Sequence, residues 1–240
     1  MQALLGIGVL AMIAACVVVG TRLLWLSTRT RRSPEFLLGT AFVLLGGIGY
    51  PLAIAARGGP GGSPSPGLLR LALGFQDVAC LAMYAATWQT FHSGSRSAGG
   101  ITALAAVGFG ASVMGVAGSG SPDHGAWYYI GFALRAGCFG WAAVESHRYQ
   151  RLLKRRLRIG LGDAVVADRF RLWTISTVAI FLGFGIFLVG HLTTDNVAPA
   201  GWVLAATSAV SLTAAACMWL AFVPPAAYVR RVSAATRGAY

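Results

Sequence analysis

The sequence is short of the residues that keep a protein in water. Charged side chains make up 11% of its 240 residues, only seven residues are acidic, and lysine occurs once, at Lys154. A folded chain of this length with so little polar surface does not fit an ordinary soluble globular class. The four cysteines, Cys16, Cys80, Cys138 and Cys217, lie in four different apolar runs with no C-x-x-C pair, so neither a disulfide framework nor a zinc site is encoded. The short signatures of enzymes are missing as well. There is no G-x-S-x-G, no H-E-x-x-H, no phosphate-binding glycine loop and no acidic pair spaced for a divalent metal. No catalytic residue is assigned, and the sequence points away from an enzyme. Strands of alternating hydropathy, which an outer-membrane barrel requires, are also lacking.

What the chain has is apolar length. Hydrophobic residues reach 56% and the mean hydropathy is +0.68. A helix crossing a bilayer needs about 20 apolar residues. Seven windows meet that need: roughly 4–26, 35–56, 68–91, 101–118, 126–147, 171–192 and 200–223. The first is longer than the apolar region of a signal peptide and ends in "RTRR", so it reads as a retained span. Ser33, Pro34 and Glu35 have the order of an N-cap, a first-turn proline and an acid at the positive helix end, which predicts the start of the second span. Among the 32 glycines, those of "GGIGY" and "GFGIF" read as places where helices approach closely. Pro51 is the one proline inside a span.

The net charge of +12 would suggest nucleic acid in a soluble protein, but here the cations collect between apolar runs. With the amino terminus outside, every basic residue except Arg57, Arg70 and Arg135 falls on the cytoplasmic side, as the positive-inside rule expects. The expected fold is therefore an all-α, seven-transmembrane-helix bundle in a single domain. Its amino terminus is outside, its carboxyl terminus is cytoplasmic, and a basic connection spans 148–170. The expected location is the plasma or inner membrane, with no nucleic-acid partner.

Two charges stand where hydrocarbon is expected. Asp77 and Arg135 each lie nine residues in from the outer start of their spans, hence at about the same depth, ~13 Å along a helix rising 1.5 Å per residue. An unpaired charge there costs several kcal/mol, so the spacing predicts an Asp77–Arg135 pair turned from lipid. Arg70, Asp77, Tyr84, Trp88 and Phe91 share one helical face; Tyr128, Phe132, Arg135, Cys138, Ala142 and Glu145 share another. If the two faces meet, Asp77, Arg135, Arg70, Tyr84 and Glu145 line a polar cleft. Two arginines against one aspartate favour an anionic or carboxylate-bearing ligand. The alternative is that the pair is a purely structural clasp between two helices, with no ligand.

His92 and His147 close spans on the cytoplasmic side, and His124 and His191 lie near the outer face. Two histidines at each face is what a two-haem electron carrier needs, but these sit at helix ends where haem would be unshielded. His124 with Asp123, and His191 with Asp195, are candidate metal or pH-sensitive sites only at the solvated rim. Beyond span five, Arg151, Lys154, Arg155, Arg156 and Arg158 interleave with leucines, as in a helix that grips anionic lipid headgroups or a cytoplasmic protein partner. Gly160 and Gly162 should end that helix, and Asp163 should cap the next.

Seven spans, an external amino terminus, and an aspartate and an arginine on the third helix resemble the microbial rhodopsins. A retinal Schiff base requires a lysine in the last span, and Lys154 lies in the cytoplasmic connection, so covalent retinal is excluded. The topology also resembles the sugar transporters built from two three-helix repeats, but their Pro-Gln or Pro-Asn signature and an internal repeat are missing here. The function expected is that of a receptor-like or sensory protein binding a small polar or anionic ligand, or a proton, in the cleft. The alternative is a small-solute or proton-coupled transporter or channel, and a haem-bearing carrier comes third.

Overall fold

The computed structural model describes residues 2–58, 64–118, 125–193 and 201–237, and the side chains within them except at 2–5 and 235–237. Among the described residues every regular element is helical. In chain order these are α1 (Gln2–Thr30), α2 (Ser33–Phe42), a π-helical segment (Val43–Gly49), α3 (Tyr50–Ala56), α4 (Pro66–Phe91), α5 (Arg96–Gly118), α6 (Ala126–Arg158), α7 (Ala164–Thr193), α8 (Gly201–Phe222) and α9 (Ala226–Arg237). Among the described residues, six helical runs are long and apolar enough to cross a membrane: Gly6–Thr30, Ser33–Ala56, Pro66–Phe91, Arg96–Gly118, Ala164–Thr193 and Gly201–Phe222. The chain is thus an all-helical protein with the composition of a multi-pass membrane bundle. The window expected at 126–147 lies on α6, whose composition is diluted by Arg135, Glu145 and His147.

The helices form two compact units, one of residues 16–139, the other of residues 140–240 with the first 15. In the first unit, neighbouring helices run antiparallel. Cys16 and Gly20 of α1 meet Gly46 and Gly39, and Gly49 meets Gln76 of α4. Trp88 of α4 covers Gly99 of α5, while Gly108 and Gly115 of α5 face Leu134 and Trp127 of α6. A Cβ at Gly46 would lie 2.2 Å from the Cys16 Cβ, an approach no side chain permits. The π-helical segment ends one residue short of Pro51. Proline has no N–H and its ring crowds the carbonyl one turn back, so a wider turn just before it relieves both defects. Gln76 Nε2 donates to the Gly49 carbonyl at 3.3 Å, supplying a partner from a neighbouring helix.

Ser33 is not the N-cap expected of it. The helix starts at Ser33 with Arg32 in the cap position and no side-chain cap bond. The Ser33 hydroxyl instead hydrogen-bonds Gln89 Oε1 of α4 at 2.5 Å, and Thr30 donates to Glu35. A serine that finds an acceptor on a neighbouring helix is no longer available to its own helix end.

In the second unit, α6 runs antiparallel to α7, with Gly140 near Phe181, Ser146 Oγ 3.0 Å from Thr174 Oγ1 and Tyr149 packed on Phe170. Antiparallel to α7 in turn is α8: Ser176 Oγ donates to the Ala214 carbonyl at 3.0 Å, Trp173 meets Phe222 edge-on, and Gly190 faces Val203. Of "GFGIF", Gly185 has nothing within 4 Å of its would-be Cβ and Gly183 only an ordinary contact at 3.7 Å to Val210, so that stretch is not a tight crossing. α6 continues as helix to Arg158, Gly160 follows with φ +73°, and Asp163 Oδ1 accepts from Val165 N at 2.8 Å to cap α7.

Candidate functional site

The pair singled out from depth alone is made. Arg135 Nε lies 2.6 Å from Asp77 Oδ1, and the two side chains are 4% and 5% exposed. Three local features put them there. Asp77 stands on the buried stripe of α4 with Leu69, Leu73, Cys80 and Tyr84. Tyr84 donates its hydroxyl to the Leu134 carbonyl at 3.1 Å, immediately before Arg135. Gly137 makes that possible, because a Cβ there would stand 2.8 Å from the Tyr84 oxygen. Both α4 and α6 run antiparallel to α5, so they are parallel to each other. One turn before Arg135, α6 is seated against α5 by Gly131, whose would-be Cβ falls on Ser112 Oγ and lies 3.2 Å from Arg135 Nη2. The Ser112 hydroxyl donates to the Trp127 carbonyl at 2.8 Å, and Cys138 Sγ donates to the Arg135 carbonyl at 3.0 Å.

The ion pair is made side-on, by Nε to one carboxylate oxygen, rather than through the two-pronged Nη fork that gives arginine its strongest hold on a carboxylate. Two opposite charges taken out of solvent at this distance attract strongly, yet each has lost its hydration, so the net gain over an apolar pair is small. The arrangement costs little as long as both partners stay and a great deal if one leaves.

The other candidates are distributed as follows. Arg70 is half-buried on α4, two turns before Asp77. Glu145 is buried in the second unit, where its Oε1 accepts from the more exposed Arg148 at 2.9 Å. His191 is half-buried near the end of α7 and stacks on Phe187 with 7° between the rings. His124, Asp123 and Asp195 lie outside the described residues. Among the described residues, no group of three or more histidines, cysteines or acids is placed to hold a metal ion. Arg151, Lys154, Arg155, Arg156 and Arg158 all lie on the α6 extension. Arg151, Lys154, Arg155 and Arg156 are exposed there, as is Arg158.

Two features escaped the sequence reading. The second unit carries a layer of buried hydroxyls, Ser146, Ser176 and Thr177, joined to their surroundings by hydrogen bonds to Thr174, Ala214 and Trp173. The other is α9, where the basic residues after α8 form a helix pinned to α7. Tyr228 donates its hydroxyl to Asp168 Oδ2, and Arg171 Nη2 bridges to Asp168 Oδ1 at 2.7 Å. Burial pushes the Tyr228 hydroxyl above its ordinary pKa, and its hydrogen bond to Asp168 and that carboxylate's charge push it the same way. Pro224 and Pro225, followed by valines and arginines at helical spacing, were the available signal.

Compared with known proteins, the chain matches no family, no curated protein and no solved structure. The site must be read from its own chemistry.

Proposed function

We propose that this chain is a seven-span membrane protein, amino terminus outside and carboxyl terminus cytoplasmic, that senses a small polar or anionic ligand, or a proton, at the Asp77–Arg135 pair. Support for a seventh span comes from α6. It is 33 residues long, about 50 Å at 1.5 Å per residue, and pairs antiparallel with α5 and with α7. The side chains of Arg135 and Glu145, the two costliest within the expected window, are 4% and 8% exposed, so hydrocarbon would not meet them.

The observation that carries the functional reading is the side-on bridge. It uses one nitrogen of a guanidinium that is almost wholly buried, at a depth where an apolar pair would serve packing as well. A ligand carboxylate or phosphate arriving at the Nη side meets a preformed cation. Because α6 runs unbroken from Ala126 to Arg158, the element that holds Arg135 also carries the basic extension that faces lipid headgroups or a cytoplasmic partner. The test is thermal unfolding of the full-length protein against a panel of small carboxylates and phosphate. Stabilisation by a panel member should disappear in Asp77→Asn and Arg135→Gln; the reading fails if stabilisation survives both.

A transporter or channel is the second reading, favoured by the π-helical segment before Pro51. A π-helical turn shifts backbone carbonyls from their regular helical partners, a feature frequent at functional sites, and here the Gly49 carbonyl accepts from Gln76 of α4. Flux into proteoliposomes that is lost in Asp77→Asn would select it over sensing.

A further inference from the structure

We propose that α9 is a lipid-binding helix whose arginines hold the phosphate of an anionic phospholipid. Its position is the first argument. Only residues 223–225 separate it from α8, a helix long and apolar enough to cross a membrane, and two of the three are prolines that stop one helix and permit the next. A helix tethered that closely to the end of a span lies at the membrane boundary.

Its faces give the second argument. Tyr228, Val229, Val232 and Ser233 are half-buried, whereas Arg230 and Arg231 are exposed. That division is the one an interfacial helix needs, with an apolar side seated and cations free for headgroups. An open groove on the helix is lined by Val229, Arg230, Ser233 and Ala234. A guanidinium and a hydroxyl suit phosphate oxygens, and the valine and alanine side chains suit the first acyl carbons.

The Tyr228–Asp168–Arg171 contacts fix which way α9 faces. Both oxygens of Asp168 are engaged, one by Tyr228 of α9 and one by Arg171 of α7. The carboxylate is thereby partnered, and competes little with a phosphate for Arg230 and Arg231. This inference depends on α8 crossing the membrane and is independent of the Asp77–Arg135 pair.

The experiment uses full-length protein in neutral detergent with photoactivatable phosphatidylglycerol or phosphatidylcholine, and mass spectrometry to locate the labelled peptide. Label should appear in residues 226–237 with phosphatidylglycerol and not with phosphatidylcholine. Each cation near an anionic surface contributes roughly five-fold in affinity, so Arg230→Gln with Arg231→Gln should raise the half-saturating lipid concentration roughly thirty-fold. Lysine at both positions should restore most of it. Equal labelling by the two lipids would overturn the proposal, as would labelling unchanged by the glutamine pair. Loss with lysine as severe as with glutamine would also overturn it. Failure of the carboxylate panel at Asp77–Arg135 leaves all of these outcomes untouched.

Discussion

Arg135→Gln is the perturbation with the largest consequence. It removes the cation 2.6 Å from a carboxylate whose side chain is only 5% exposed. Glutamine reaches less far and carries no charge, so Asp77 is left buried and uncompensated. Breaking a buried pair by deleting one partner costs about 3–5 kcal/mol. Because a bilayer-unfolded state also offers polar partners, we expect the lower end, about 3 kcal/mol. At roughly 2–4 °C per kcal/mol for a chain of this size, the unfolding midpoint should fall by about 6–12 °C. The double change Asp77→Leu with Arg135→Met removes both charges and should recover most of that loss or exceed the wild type, since apolar replacements of buried pairs are often neutral or stabilising. Thermal unfolding in one detergent, followed by tryptophan fluorescence, compares all three proteins. A midpoint within 1 °C of wild type for Arg135→Gln, or a double variant less stable than the single, would refute the reasoning.

Further outcomes test the packing around the pair. Tyr84→Phe should cost about 0.5–1.5 kcal/mol for the lost bond to Leu134. Gly137→Ala should be destabilising alone, because its Cβ stands 2.8 Å from the Tyr84 oxygen, and nearly silent when combined with Tyr84→Phe; additive losses in thermal unfolding would contradict that contact. Gly46→Leu should lower stability by about 1–3 kcal/mol or more by forcing α1 from the π-helical segment, whereas Gly185→Leu, with open space around it, should change the midpoint little. Tyr228 has a raised folded-state pKa, so its contribution is fully present below the ordinary tyrosine pKa of 10.0 and is lost as pH climbs beyond it. Proteolysis of α9 should therefore accelerate above about pH 10 and should do so less in Tyr228→Phe.

Depth counting placed Asp77 beside Arg135 because a helix rises by a fixed amount per residue and a bilayer fixes where counting begins. The buried stripe of α4 and the end of α6 at Gly160 were legible for similar reasons, through helical periodicity and the need for a left-handed residue. Ser33 was misread because its acceptor, Gln89, lies on a helix 56 residues away, and only packing decides between a local and a distant partner. The same holds for Gly137, whose meaning depends on a tyrosine oxygen from α4, and for Gly185, which shares its local sequence type with Gly46 but has no neighbour. The π-helical segment was half visible in Pro51, which announces a disturbance without saying how the preceding turn absorbs it. Residues 226–237 read as scattered topology charges because a twelve-residue helix is too short to register as a span.

The most direct measurement on the proposed role is native mass spectrometry of gently purified full-length protein, presented with small carboxylates and phosphate. Wild type should carry a small polar adduct that Asp77→Asn and Arg135→Gln, purified in folded form at low temperature, both lose. Wild type bare across the panel, or an adduct retained in both variants, would contradict the claim that the buried pair is a binding site.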